Sequence, residues 1–135
     1  MTRRSVLAVG AHPDDIELGC GGALAKHVAA GDRVAMLVVT RGEEGPGRSA
    51  QRVSEQLAAV EVLGVDTLLW GEGFLDCRVS LQEFELVDLI EDAIEQVSAT
   101  VIYTHMANDS HQDHRVVSRC TMGAARWVST IMAYG

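Results

Sequence analysis

Short apolar segments alternate with longer amphipathic segments along the chain, and this alternation restricts the fold more than any other feature. Strands are predicted at residues 5–9 and 33–40, the second being a continuous β-branched run typical of a strand buried on both faces. Between them, residues 19–30 have helical character, and Gly31 ends that helix. Such regular alternation predicts right-handed βαβ units, and therefore an α/β fold with a parallel sheet.

The same pattern continues through the second half of the sequence. Helices are predicted at residues 50–63, from the capping-box sequence 80–83 onwards to 97, and at 112–127. Strands are predicted at residues 66–70, 100–104 and 129–133. Phe84 and Ile90 are expected on the buried stripe of the third helix, and Trp127 in the core. Because 135 residues correspond to one domain, we expect residues 1–135 to form a single domain.

Composition excludes several classes of protein and partner. Hydrophobic residues make up 47% of the chain, which excludes a disordered protein. A net charge of −8 argues against a nucleic-acid partner. The apolar runs fall well short of the about 18 residues that suggest a membrane span, so no membrane partner is expected. The three cysteines form no CxxC pair, which is typical of free thiols in a reducing compartment and predicts a cytoplasmic protein.

Two loops contain nearly all the residues suited to metal chemistry. Both follow predicted strands, and in parallel sheets ligands bind beyond the carboxyl ends of the strands. The first loop reads Ala11-His12-Pro13-Asp14-Asp15, and the second, residues 105–114, contains His105, Asn108, Asp109, His111, Asp113 and His114. Imidazole and carboxylate groups bind zinc and similar divalent ions, and three such ligands leave a position for water. Together the loops predict a hydrolytic metal site.

The residues alone leave the division of roles open. Asp14 and Asp15 offer one carboxylate for the metal and one for a general base. His111 and His114 are three residues apart, so at a helix start one can bind metal while the other meets the substrate. The simpler alternative is that Asp15 or Asp113 only caps the helix that follows. The position of both loops after strands of one sheet favours the metal site.

The two motifs resemble those of a known enzyme family. The first loop, continued by Glu17-Leu18-Gly19-Cys20-Gly21-Gly22, is similar to the N-terminal signature of the LmbE-like, or PIG-L, deacetylases. His111-Gln112-Asp113-His114 resembles the His-x-Asp-His motif of that family. Members include zinc-dependent deacetylases of N-acetylglucosaminyl conjugates. The resemblance implies a three-layer Rossmann-like fold with a mainly parallel sheet, the LmbE-like deacetylase fold.

The resemblance also assigns roles to individual residues. It implies that zinc, or alternatively Fe²⁺, is bound by His12, Asp15 and His114. Asp14 would be the general base, and His111 would stabilise the oxyanion or protonate the departing amine. Asp113 would orient a histidine by a hydrogen bond.

Three further residues are expected to contact the substrate. Arg52, near the start of the helix after the second strand, occupies a position where the family has an arginine, although a solvated helix residue is an alternative interpretation. Asn108 and Asp109 in the second loop are suited to binding sugar hydroxyls, or else only shape the loop.

The resemblance implies a hydrolase that removes an acetyl or other acyl group from a GlcNAc-containing or related N-acylated small molecule. Two alternatives stay open: an amidase of the mycothiol-S-conjugate type, and a metal-binding, weakly catalytic remnant that acts as a subunit. Family members normally run further, so we expect the C-terminal part of the fold, and part of the pocket wall, to be missing. An exposed sheet edge at the end of the chain would favour a homo-oligomer.

Overall fold

The computed structural model describes residues 3–45 and 49–135. The elements in chain order are β1 (Ser5–Gly10), α1 (Asp15–Ala29), β2 (Arg33–Val38), α2 (Ser49–Leu63), β3 (Thr67–Trp70), a 3-10 turn (Val79–Gln82), α3 (Glu83–Val97), β4 (Val101–His105), α4 (Gln112–Ala124) and β5 (Thr130–Tyr134). Strands and helices alternate as predicted. None of the helices within the described ranges is long and apolar enough to cross a membrane.

The described strands form one parallel sheet in the order β3-β2-β1-β4-β5. β1 lies at the centre, with β2 paired along its full length from Ser5 opposite Arg33 to Gly10 opposite Val38. On its other side β1 pairs with β4. The chain therefore builds one half of the sheet and then crosses to the other half, so the loops after β1 and β4 lie side by side. Ligand sites in open parallel sheets form at this switch point.

The sheet is covered on both faces, which gives the fold its three layers. Leu7 and Val9 of β1 pack with Ile90 and other residues of α3 and α4 in one core. The alternate residues, Val6 and Ala8, pack with residues of α1 and α2 in a second core. Because consecutive side chains of a strand point to opposite faces, one strand supplies both cores. The predicted α/β, Rossmann-like architecture is confirmed.

The start of α3 differs from the prediction. A 3-10 turn precedes the helix, and no side-chain capping hydrogen bond is found at this end among the described residues, so the capping-box prediction is wrong. The buried stripe of α3 consists of Leu86, Ile90 and Ala93, which recur at helical spacing. Phe84 is two residues before Leu86, on another side of the helix, and is 89% exposed.

The end of α4 also differs from the prediction, and this changes the position of Trp127. The helix ends at Ala124, and Trp127 lies in the connection to β5 with 87% of its surface exposed, so the prediction of a core position is wrong. Cys20 and Cys120 are buried in helices as free thiols.

Gly71, directly after β3, occupies a position where a side chain does not fit. A Cβ atom there would lie 2.4 Å from the backbone oxygen of Val39. Gly71→Ala is therefore expected to lower the free energy of unfolding by about 1–3 kcal/mol, measured by urea denaturation. Gly22→Ala is the control, because none of the described atoms lies within 4 Å of a Cβ at this helical position. It should be neutral or stabilising by up to about 1 kcal/mol. Equal stability of the Gly71 variant and the wild type would contradict the close approach.

Candidate metal centre

The loops after β1 and β4 meet at the carboxyl edge of the sheet. They bring together His12, Asp15 and His114, each of which offers one ligand atom within 4.8 Å of the others. Asp15 begins α1, and His114 lies in the first turn of α4. These are the three residues that the sequence predicted as metal ligands.

Asp15 is the central group of this cluster. Its Oδ2 atom lies 3.3 Å from Nδ1 of His12 and 3.1 Å from Nε2 of His114, and it accepts a hydrogen bond from the His12 amide at 2.9 Å. Both ring nitrogens of His114 are buried, and each faces a carboxylate oxygen: Nε2 lies 3.1 Å from Asp15 and Nδ1 lies 3.0 Å from Asp109. A divalent cation would satisfy a buried imidazole nitrogen that faces a carboxylate. The donor set therefore fits a metal ion held by two nitrogens and one oxygen.

The opposite ring nitrogen of His12 faces two buried carboxylates. Its Nε2 atom lies 2.8 Å from Oδ2 of Asp113 and 2.9 Å from Oδ1 of Asp76. A proton on Nε2, donated to a carboxylate, leaves the lone pair of Nδ1 on the side of Asp15. Asp113, predicted to orient a histidine, thus lies against His12. Asp76 comes from the loop after β3 and was not selected from the sequence.

The carboxylates control the protonation of His12. Burial alone lowers the pKa of His12, but hydrogen bonds with Asp113 and Asp15 and the charge of Asp76 outweigh it and raise the pKa to about 9. Burial raises the pKa of Asp15, and hydrogen bonds from His114 and His12 outweigh it and hold the pKa well below its usual range. Asp15 is therefore ionised. Because the proton and a metal ion compete for His12, metal binding releases a proton.

His105, at the end of β4, connects the two loops behind the ligands. Its Nε2 atom accepts a hydrogen bond from the Ala11 amide at 3.1 Å, and its ring stacks on that of His114 with the centroids 3.8 Å apart. Burial, together with the charge of His114, lowers the pKa of His105 to about 4. The neutral His105 ring therefore supports His114 from one face.

Asp14 and Asp15 have separate environments although they are adjacent. Asp14 has a left-handed backbone with φ of 78°, which is uncommon for a residue other than glycine. Its amide donates a hydrogen bond to Oε1 of Gln56 at 3.1 Å. Among the described residues, the groups able to hold a metal include Asp15 but not Asp14. The carboxylate of Asp15 therefore belongs to the ligand cluster, whereas that of Asp14 does not.

His111 caps α4, because its Nδ1 atom accepts a hydrogen bond from the Asp113 amide at 3.0 Å. The suggestion that Asp113 caps this helix is therefore wrong. With Nδ1 as acceptor, the neutral ring carries its proton on Nε2, which can act as a donor. Burial lowers the pKa of His111 and favours this neutral form. Its ring centroid lies 4.7 Å from that of His12.

A cavity of about 200 Å³ opens beside the cluster. Its lining residues are His12, Glu44, Gly45, Arg52, Asp76, Cys77 and His111. Arg52 donates hydrogen bonds to the backbone oxygens of Gly42 at 2.9 Å and Pro13 at 3.2 Å. The half-buried Arg52 therefore lines the cavity and connects α2 to the first loop.

Asn108 and Asp109, the other predicted substrate contacts, lie elsewhere. Asn108 is exposed, and Asp109 lines a second cavity of about 200 Å³ next to His114. A larger cavity, of about 950 Å³, is lined by Lys26, His27 and Tyr103 among others and includes none of the three predicted ligands. The arrangement around His12 and His114 is thus the candidate reaction site.

Comparisons with known proteins identify the family of this chain. The family model described as PIG-L: GlcNAc-PI de-N-acetylase matches residues 7–125. The chain is 37% identical to the uncharacterized deacetylase YaiS of Escherichia coli (strain K12), over 98% of this chain and 74% of that protein. It is 31% identical to a 1D-myo-inositol 2-acetamido-2-deoxy-alpha-D-glucopyranoside deacetylase of Streptomyces griseus, over 90% of this chain and 48% of that protein. A solved structure of a conserved protein from Thermus thermophilus matches with a TM-score of 0.85 and 30% identity, over 96% of this chain and 64% of that one.

Proposed function

Because the chain belongs to the PIG-L family, we propose that it is a metal-dependent hydrolase that removes an acyl group from the amide nitrogen of an N-acetylglucosamine-like small molecule. The observation that carries this proposal is the convergence of His12, Asp15 and His114 at the carboxyl edge of the sheet, with Asp14 directly before Asp15 in the sequence. Three nitrogen and oxygen ligands with a neighbouring carboxylate suit a hydrolytic metal site.

His12, Asp15 and His114 would hold Zn²⁺, or alternatively Fe²⁺. When bound, such an ion would supply Lewis acidity that polarises the acyl carbonyl and acidifies water. The other residues supply proton transfer and orientation. Asp14 would accept the proton of the attacking water, and Asp113 would keep His12 in the required tautomer through its 2.8 Å contact.

His111 would act on the tetrahedral intermediate and its collapse. Attack by water forms a C–O bond, and collapse of the tetrahedral intermediate breaks the C–N bond. The Nε2–H group of the neutral His111 ring would donate a hydrogen bond to the developing oxyanion. Its alternative role, protonation of the departing amine, would require the imidazolium form and therefore loss of the hydrogen bond that Nδ1 accepts from the Asp113 amide. The proton that Asp14 accepts from water would pass to the departing amine, and the products are a carboxylate and a free amine.

The polar cavity beside His12 supports an amino-sugar substrate. Glu44, Arg52 and Asp76 line it, and such groups form hydrogen bonds with hydroxyls. The name of the Streptomyces griseus relative describes an acetamido sugar linked to inositol. Arg52 would contact the sugar from the side of α2, while substrate contact by Asn108 stays a prediction.

Removal of the metal should abolish the proposed activity. Treatment with a chelator should reduce amine release from an N-acetylglucosaminyl conjugate to background, and added Zn²⁺ or Fe²⁺ should restore it. Amine release is measured by fluorescent derivatisation, with an S-conjugate of the mycothiol type as the alternative substrate. Hydrolysis of the S-conjugate alone would favour the amidase alternative. Metal binding without turnover of either substrate would favour the weakly catalytic subunit.

The effect of the chelator can also be measured without a substrate, from the thermal unfolding of the protein. A metal that binds only the folded protein stabilises it by about 2.7 kcal/mol at one hundred times its dissociation constant. Zinc should therefore raise the midpoint of thermal unfolding, and the chelator should reverse the increase. An unchanged midpoint together with chelator-resistant activity would contradict a metal-dependent hydrolase.

A further inference from the structure

We infer that Asp109 is a positioning residue that holds the ring of His114 in the orientation and tautomer needed for metal binding. The sequence suggested contact with sugar hydroxyls for this residue, but the geometry points to the histidine. The inference rests on the proposed function, because it takes His114 to be a metal ligand.

Carboxylates lie at both nitrogens of the His114 ring. Oδ1 of Asp109 is 3.0 Å from Nδ1, and Oδ2 of Asp15 is 3.1 Å from Nε2. A neutral imidazole carries one proton and one lone pair on its two nitrogens, and only the lone pair can bind a metal. A proton on Nδ1, facing Asp109, leaves the lone pair of Nε2 on the side of Asp15. Asp109 thus selects the tautomer that binds within the cluster.

The carboxylate of Asp109 is held in place from outside the cluster. Its Oδ1 atom accepts a hydrogen bond from the His111 amide at 2.9 Å, and its backbone oxygen accepts one from Nη1 of Arg115 at 2.8 Å. On the other side, the His105 ring lies nearly parallel to that of His114, with an angle of 6° between their planes. The Asp109 carboxylate is therefore prepositioned, and the His114 ring has little freedom to turn.

The two proposed histidine ligands have equivalent surroundings. His12 has Asp113 at the nitrogen that faces away from Asp15, and His114 has Asp109 at the corresponding nitrogen. Carboxylates of this kind fix ring orientation and increase the basicity of the ligand. A residue that served only the substrate would have no reason to lie 3.0 Å from Nδ1 of His114.

The inference is tested by the zinc affinity of the full chain, which is measured by competition with a chromophoric chelator. Asp109→Ala should weaken zinc binding about 10–100-fold. Asp109→Asn should weaken it less, because its amide oxygen can still accept hydrogen bonds from Nδ1 and from the His111 amide. Ser110→Ala is the matched control, since Ser110 is exposed in the same loop, and it should bind zinc like the wild type.

The order of the zinc affinities separates positioning from a general effect on the loop. Ser110→Ala should bind zinc like the wild type, Asp109→Asn more weakly and Asp109→Ala most weakly. Equal loss in Ser110→Ala and Asp109→Ala would overturn the inference, as would wild-type affinity with a raised KM in Asp109→Ala, which indicates substrate contact. Absence of zinc binding by the wild-type chain would instead refute the proposed function itself. Circular dichroism of each metal-free variant establishes that it is folded.

Discussion

Asp14→Asn is expected to lower kcat for deacetylation by about 10²–10⁴-fold while leaving zinc affinity unchanged. The carboxylate of Asp14 lies outside the described ligand groups, which include its neighbour Asp15. Its removal should therefore spare the metal. The amide group of asparagine cannot accept a proton from water at neutral pH, so the attacking water would lose its base.

Asparagine is the appropriate replacement for a structural reason. Asp14 has a φ of 78°, and asparagine tolerates left-handed backbone better than alanine does. The link from this position to Gln56 uses the backbone amide, so the substitution preserves it. Amine release by the zinc-loaded protein is the measurement, with Glu55→Ala, an exposed acidic residue of α2, as the control. A wild-type kcat in the Asp14 variant would mean that another group is the base.

The fold was predictable because its signal is local. Alternating apolar runs and amphipathic segments identify strands and helices without knowledge of their partners. The predicted helix boundaries were less accurate where a single residue changes the backbone direction. α1 begins at Asp15 rather than near Gly19, since the turn at Asp14 starts the helix four residues earlier. The stripe of α3 was predicted incorrectly for a different reason, because Leu86 and not Phe84 lies one helical turn before Ile90.

The site was predictable only where residues occur in short motifs. His12, Asp15 and His114 belong to two sequence motifs whose composition and position after strands indicate metal chemistry. Asp76 comes from a third loop, next to Phe74, Leu75 and Cys77, and has no ligand-like neighbour in the sequence apart from that cysteine. Its 2.9 Å contact with His12 depends on how the loop after β3 reaches across the carboxyl edge of the sheet, which no local pattern encodes.

For Asp109, the sequence predicted the location in the chain but not the contact. The sequence places it two residues before His111 and five before His114, so proximity to the site was evident. The sequence did not show which nitrogen of the His114 ring Asp109 would face, because that depends on the packing of His105 against His114. The sequence therefore predicted the participants better than it predicted their contacts.

His12→Ala is expected to abolish measurable zinc binding and amine release, and also to destabilise the metal-free protein. The variant removes one of the three proposed ligands. It also leaves Asp76 and Asp113, which are 4% and 1% exposed, without the imidazole that both of them face. Breaking a buried charge pair by removing one partner costs roughly 3–5 kcal/mol, so the free energy of unfolding should fall by an amount of this order.

A second substitution separates these two effects. Asp76→Asn removes one of the buried negative charges, so His12→Ala combined with Asp76→Asn should regain part of the lost stability in urea denaturation. Zinc binding should not return, because the amide replaces no metal ligand. Recovery of zinc affinity along with stability would show that His12 supports the fold and does not bind the metal. Zinc binding by the double variant is therefore the measurement that shows whether His12 binds the metal or only stabilises the fold.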